Sequence, residues 1–191
     1  MTFTNSFTLS YLRRSALFVA TVFTLCSTAT TALAQQSQKL NTLQFKTAAD
    51  VMTYFHYTGH DQPIISGHRG GAAAGYPENC IATFENTLRA SSAVFEIDPH
   101  LTKDSVMVLL HDATLERVTT GKGKLNKVTY GALHQVYLKD LDGKKTSYHL
   151  NTLKEAIAWC KGKTMLNLDV KDVPILMKAR MVKAMDAFNY V

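Results

Sequence analysis

Apolar residues in this chain gather in short runs separated by polar loops, and the spacing within each run predicts the element it forms. Thr47 followed by Asp50 resembles a capping box, with Asp in the place of Glu, and predicts a short helix through about Tyr57. Gly59 to Pro63 breaks it. Ile64-Ile65-Ser66 reads as a short buried strand ending at Gly67-His68-Arg69-Gly70-Gly71, after which a glycine-rich loop runs to Pro77. Ile81, Phe84 and Leu88 share one helical face and predict a helix from about Asn79 to Ser91. Val94 to Asp98 is a second strand. Strand, loop, helix, strand is the order of a parallel α/β arrangement.

Only a few residues separate this second strand from another apolar run, Val106 to Leu110. No crossover helix fits between them, so the two are expected to pair antiparallel through a tight turn at Asp104-Ser105. A two-residue turn there sets His111 opposite Asp98. Residues 112–150 carry Gly121-Lys122-Gly123, several lysines and Asp142-Gly143 with little sustained period, and read as an insertion over one face of the main fold. Thr152-Leu153-Lys154-Glu155 is a second capping box, opening a helix that ends at Cys160-Lys161-Gly162. Thr164 to Val170 is the third strand of the parallel type. Pro174 suits the start of a helix in the segment that ends near Phe188.

Residues 1–34 change the picture of where the chain works. Arg13-Arg14, an apolar run from Ala16 to Leu25 and small residues ending in Ala32-Leu33-Ala34 describe a secretory signal peptide cleaved after Ala34. Ser and Thr interrupt the run short of the roughly 20 apolar residues that a membrane span needs. Lipoprotein anchoring at Cys26 is disfavoured by Leu25 before it. Export implies a periplasmic or secreted protein with no stable membrane anchor. Loss of the two arginines lowers the net charge from +6 to +4, with no clustered basic tract to imply nucleic acid. Cys80 and Cys160 remain, too few for a disulfide framework and expected to be buried thiols. Residues 35–63 form an N-terminal segment with the short helix, and residues 64–191 the main domain.

The candidate chemistry sits at strand ends. Glu96 and Asp98, at i and i+2, point to the same face of one strand. Val94, Phe95 and Ile97 mark that strand as buried, where unpaired acids are costly. A hard divalent cation with a preference for oxygen ligands resolves the conflict, whereas a solvated edge strand is the plainer alternative. Asp169, at the end of the third strand, offers another carboxylate oxygen or a surface ion pair with Lys171. His68 and His111 both follow apolar strands, at the end that carries the active site in barrels of parallel strands. Two such histidines suit acid/base work near neutral pH; the alternative for each is a hydrogen-bonded loop histidine. Arg69 suits a bidentate clamp on phosphate, and Gly70 and Gly71 would let backbone amides approach an anion. Lys171 adds positive charge. His56, His60, His100, His134 and His149 lack such placement and are assigned structural roles.

Together, H-R-G-G at His68, P-E-N at Pro77 to Asn79, F-E-I-D ending at Asp98 and H-D at His111 resemble the glycerophosphodiester phosphodiesterases. Arg117-Val118-Thr119-Thr120-Gly121 and Asn167-Leu168-Asp169-Val170-Lys171 continue the resemblance in order over residues 64–171. It implies a (β/α)₈ TIM barrel with an insertion after the second strand. It further implies His68 and His111 as the acid/base pair and Glu96, Asp98 and Asp169 as ligands of Ca²⁺ or Mg²⁺. Glu78 matches an acid near the metal, and Arg69 and Lys171 match phosphate-contacting positions. The implied reaction releases an alcohol and glycerol 3-phosphate from a small glycerophosphodiester.

Three residues depart from the pattern: Cys80 replaces the usual Thr, Ser105 a turn Gly, and Asp169 the commoner Glu. Three parallel strands are legible, with Tyr190-Val191 starting a fourth, while a closed barrel needs eight and typically roughly 250 residues. A partial barrel leaves an unpaired edge, so this polypeptide alone is expected to be unstable or to aggregate. The alternatives to a phosphodiesterase are a related phospholipase acting on intact lipids, a catalytically inactive phosphodiester-binding fragment and, least favoured, a purely structural exported protein.

Overall fold

The computed structural model describes residues 39–59 and 63–191. The expected signal peptide therefore lies outside the described residues, as does the middle of the break between Gly59 and Pro63. Among the described residues no helix is long and apolar enough to cross a membrane.

Leu40–Val191 forms one compact unit. Its centre is a three-stranded parallel sheet in the order β1, β2, β5, made of Ser66–His68, Val94–Ile97 and Leu166–Leu168. Helix α1, Ala48–Phe55, precedes it, with both halves of the Thr47/Asp50 capping box formed. Helix α2, Ile81–Ala90, crosses from β1 to β2 and buries Phe84 and Leu88 as its spacing predicts. Helix α4, Leu153–Cys160, opens on the capping box of Thr152 and Glu155. Helix α5, Ile175–Ala184, follows β5, with Pro174 as its cap.

Alternation along β2 explains why the strand serves two ends. Phe95 and Ile97 are fully buried against the helices, where Phe84 stacks on Phe95 at 5.0 Å between ring centroids and Trp159 tilts against both. Glu96 and Asp98 point the other way. Beyond Asp98 the chain continues as β3, Pro99–Leu101, which pairs antiparallel with β4, Met107–Leu109. The alternating residues of β4 are divided between two cores: Met107 and Leu109 join the central one, and Val108 and Leu110 join that of the insertion. Within the insertion, a 3₁₀ turn at Leu125–Lys127 and the short α3, Tyr130–Leu133, bury Leu115, Val118, Leu125, Leu133 and Leu138.

Two expectations need correction. The hairpin register differs by one residue: Pro99 opposes Leu109, and Leu110, not His111, donates its N–H to the Asp98 carbonyl. The turn spans three residues, because Ser105 takes the left-handed conformation (φ 61°) as the closing residue of a bulged turn. Ile64 and Ile65 are 41% and 47% exposed, not buried, since they lead into the edge strand β1. The C-terminal segment does return to the sheet, where the Tyr190 carbonyl accepts from Leu166 N at 2.8 Å.

Candidate active site

Strand register assembles the acidic part of the site. In the parallel sheet His68 stands beside Glu96, and Glu96 beside Asn167. One step past the last pair, Ile97 with Leu168, come Asp98 and Asp169. Side chains two apart share a face, so Glu96, Asp98 and Asp169 converge, each offering a carboxylate oxygen within 4.8 Å of the others.

Asp98 is the most constrained of the three. It is fully buried, and Asn79 holds it twice: Asn79 Nδ2 donates to Oδ2 at 2.8 Å, and Asp98 N donates to Asn79 Oδ1 at 3.0 Å. Asn79 reaches this position through a left-handed backbone (φ 57°), which its short polar side chain tolerates. The other oxygen, Asp98 Oδ1, is buried and accepts no hydrogen bond of ordinary geometry, although Lys171 Nζ lies 3.1 Å away. Lys171 Nζ also lies 2.8 Å from Asp169 Oδ2, and that contact holds the Asp169 carboxyl below its ordinary range and Lys171 above its own. Three convergent carboxylates, one with a buried oxygen that Lys171 Nζ approaches without ordinary hydrogen-bond geometry, form an all-oxygen donor set that fits Ca²⁺ or Mg²⁺. Asp169 thus lies in the carboxylate cluster and pairs with Lys171.

The glycine-rich loop supplies the opposite wall. Arg69 N donates to Glu96 Oε2 at 3.0 Å from a left-handed backbone (φ 53°). The Arg69 guanidinium reaches Glu78 at 3.3 Å, and its buried Nε stands 3.8 Å from Asp98 Oδ2 without a hydrogen-bond partner. The amides of Gly70 and Gly71 do not face outward as expected: they donate to the carbonyls of Gly67 and His68 at 3.0 Å, closing the turn. Packing gives Gly70 its purpose, because at φ 91° a Cβ there would fall on the Phe84 ring.

His111 enters from the hairpin. Its Nδ1 lies 2.8 Å from Asp112 Oδ1, an arrangement that turns Nε2 toward other partners. Asp112 is itself gripped by Arg117, whose Nε and Nη2 donate to its two oxygens at 2.6 and 2.8 Å. That guanidinium, with a further contribution from His111, holds the Asp112 carboxyl well below the usual range. Arg117 also donates to both oxygens of Glu78, at 3.0 and 2.8 Å. Glu78 therefore joins two arginines, one from each wall. His68 is exposed at the end of β1 and lines a cleft of about 580 Å³ with Arg69, Glu78 and Leu141. Leu141 is brought there by Asp140, whose Oδ2 accepts from Gly75 N at 3.0 Å.

All eight sequence-predicted residues fall at this end of the sheet or on the loops beside it. Asn79, Asp112, Arg117 and Leu141 were not among them. The first three stand inside the quoted motifs P-E-N, H-D and R-V-T-T-G, which was the available signal; Leu141 left none.

Residues 68–189 match the sequence profile of the glycerophosphoryl diester phosphodiesterase family. The chain belongs to that family. A glycerophosphodiester phosphodiesterase of Caldanaerobacter subterraneus is 28% identical over 132 residues, covering 66% of this chain and 54% of the relative. The crystal structure of a glycerophosphoryl diester phosphodiesterase from Parabacteroides distasonis is 50% identical, with a TM-score of 0.79 over 80% of this chain and 54% of that one. An Oleispira antarctica phosphodiesterase, solved with the product sn-glycerol-3-phosphate, is 27% identical, with a TM-score of 0.55 over 63% of this chain and 52% of that one. The chain spans about half the length of these relatives.

Proposed function

We propose that this chain carries the catalytic centre of a metal-dependent glycerophosphodiester phosphodiesterase built on a (β/α)₈ barrel and exported to the periplasm or beyond. The observation that carries the reading is the convergence of Glu96, Asp98 and Asp169 beside two histidines at the C-terminal end of a parallel sheet. Glu96, Asp98 and Asp169 would hold a Ca²⁺ or Mg²⁺ ion, which supplies Lewis-acid polarisation of the phosphoryl oxygens when bound.

The chain's own groups do the rest. Arg69 and Lys171 neutralise the phosphate, exchanging their carboxylate partners for its oxygens. His68 and His111 form the acid/base pair: one withdraws a proton from the attacking oxygen and the other protonates the alcohol oxygen as its bond to phosphorus breaks. Asp112 orients His111 so that Nε2 faces the exchange. In the overall reaction water is added and an alcohol and glycerol 3-phosphate are released. The product held by the Oleispira antarctica relative supports this substrate class.

The test is release of glycerol 3-phosphate from glycerophosphocholine and glycerophosphoethanolamine by the purified chain, with and without EDTA, beside His68→Ala. Turnover abolished by both EDTA and the substitution is expected. Soluble, folded protein that releases nothing would favour an inactive phosphodiester-binding fragment instead.

A further inference from the structure

His100 projects from β3, two residues beyond Asp98, and its side chain is only 9% exposed. Its two ring nitrogens reach in different directions. Nε2 lies 3.1 Å from the backbone carbonyl of His111, and Nδ1 lies 2.9 Å from Asp172 Oδ1. Both partners are oxygens that only accept. Asp172 Oδ1 also accepts from Leu101 N at 3.1 Å, so the carboxylate is tied to β3 through backbone and side chain together.

The positions of the two partners give this bridge its meaning. His111 is one of the acid/base pair, and Asp172 immediately follows Lys171 in the loop that carries Asp169. That loop is fixed elsewhere by Asp169 N, which donates to the Ile97 carbonyl at 2.9 Å, and by the buried Lys178, whose Nζ donates to the Asp169 carbonyl at 3.1 Å. Those two contacts hold Asp169 to β2 and α5, and neither touches His111. Among the described residues, the hydrogen-bonded tie between the histidine turn and the carboxylate loop runs through the His100 ring.

We infer that His100 is a positioning residue that, with Asp172, locks the backbone of His111 to the loop bearing Asp169 and Lys171. The inference rests on the phosphodiesterase reading of the site. The ring's two hydrogen-bond partners are neither the three carboxylates nor cleft residues, so its effect is on geometry: it fixes the distance between the proton-transferring histidine and the third carboxylate. Outer partners of this kind typically change metal affinity or activity about 10- to 100-fold when removed.

Two substitutions divide the bridge. His100→Asn keeps an amide near Nδ1 and the Asp172 contact but loses the His111 carbonyl. His100→Gln keeps an amide near Nε2 and the His111 contact but loses Asp172. In the full chain, each is expected to lower kcat about 10-fold and to weaken calorimetric Ca²⁺ or Mg²⁺ binding by a similar factor. KM for glycerophosphocholine should change by less than about 2-fold, as befits a group that does not touch substrate. The exposed change Asp172→Ala, which gives up the Leu101 amide as well, should lose at least as much as His100→Gln, and adding His100→Gln to it should cost nothing further. Folded variants with wild-type kcat and metal affinity would overturn the inference, as would losses that multiply in the double variant. A wild-type chain that binds the cation without turnover would defeat the functional reading; metal affinity alone would then decide, weakened in the variants for the brace and unchanged against it. A chain that binds neither cation would overturn both.

Discussion

The two histidines of the site are held very differently. His111 is gripped through Asp112, which Arg117 grips in turn, and Arg117 continues to Glu78 on the opposite wall. His68 stands at the exposed end of β1, fixed by its strand position beside Glu96. The carboxylates follow the second pattern, since register brings Glu96, Asp98 and Asp169 to one place before Asn79 and Lys171 fix their oxygens. One part of the site is therefore built by backbone pairing and the other by a chain of charged side chains on loops. Backbone pairing sets where a group can be; the side-chain network sets which way it faces. Loss of a ligand should remove the chemistry, and loss of a network member should misdirect it.

The largest effect is expected in the strand-built part. Asp98→Asn keeps the shape that Asn79 holds but removes the charge on which the proposed cation site depends, a loss expected to be worth several kcal/mol of transition-state stabilisation. Turnover should fall roughly 100- to 1000-fold, with divalent-cation binding lost in parallel by calorimetry. A variant that still bound the cation as tightly would move the metal site elsewhere.

The loop-built part should yield a smaller loss with a different signature. Asp112→Asn should cost about 10- to 100-fold in kcat while leaving metal affinity near wild type. Its acid stability should differ as well. Because Asp112 is held below its ordinary value of 3.8, ionisation favours the folded state. That contribution is complete above about pH 4 and is lost as pH falls through the lowered value. The stability gap between wild type and Asp112→Asn in urea melts should be constant near neutrality and close below about pH 4. A gap that widened on acidification would show that the Arg117–Asp112 pair does not favour folding.

The smallest effect separates scaffold from site. Cys80 caps α2 without a side-chain hydrogen bond, and Asn151 Oδ1 accepts from Ile81 N at 3.0 Å in its stead. Cys80→Thr should therefore raise stability by only about 0.5 kcal/mol in a denaturant melt and leave kcat unchanged. A gain well above that would mean that Asn151 satisfies the helix end poorly.

The same division explains what could be read from the sequence. Glu96, Asp98 and Asp169 were legible because strand periodicity is exact in two-residue steps, and the capping boxes at Thr47 and Thr152 because their partners lie three residues away. Arg117 grips Glu78 from 39 residues away, across α2 and three strands, a separation that no local period announces. Ser105 misled for a local reason: a serine accepts the left-handed conformation that glycine usually takes, and the longer turn shifts the ladder by one. Gly70 and Gly71 suggest a backbone open to an anion, yet the turn itself consumes their amides. Composition shows that a glycine is present, but the space around it decides its use.

The contact between Gly70 and the Phe84 ring carries a further consequence. The loop that bears His68 and Arg69 rests directly on the Phe84, Phe95 and Trp159 cluster of the core, with no layer between them. Hydrophobic packing and site geometry thus share one surface, and the Phe84 ring acts as an anvil against which the loop is shaped. A change beneath it, Phe84→Leu, would therefore be felt at Arg69 as well as in the core. In such a molecule the inheritance of the core constrains the inheritance of the reaction.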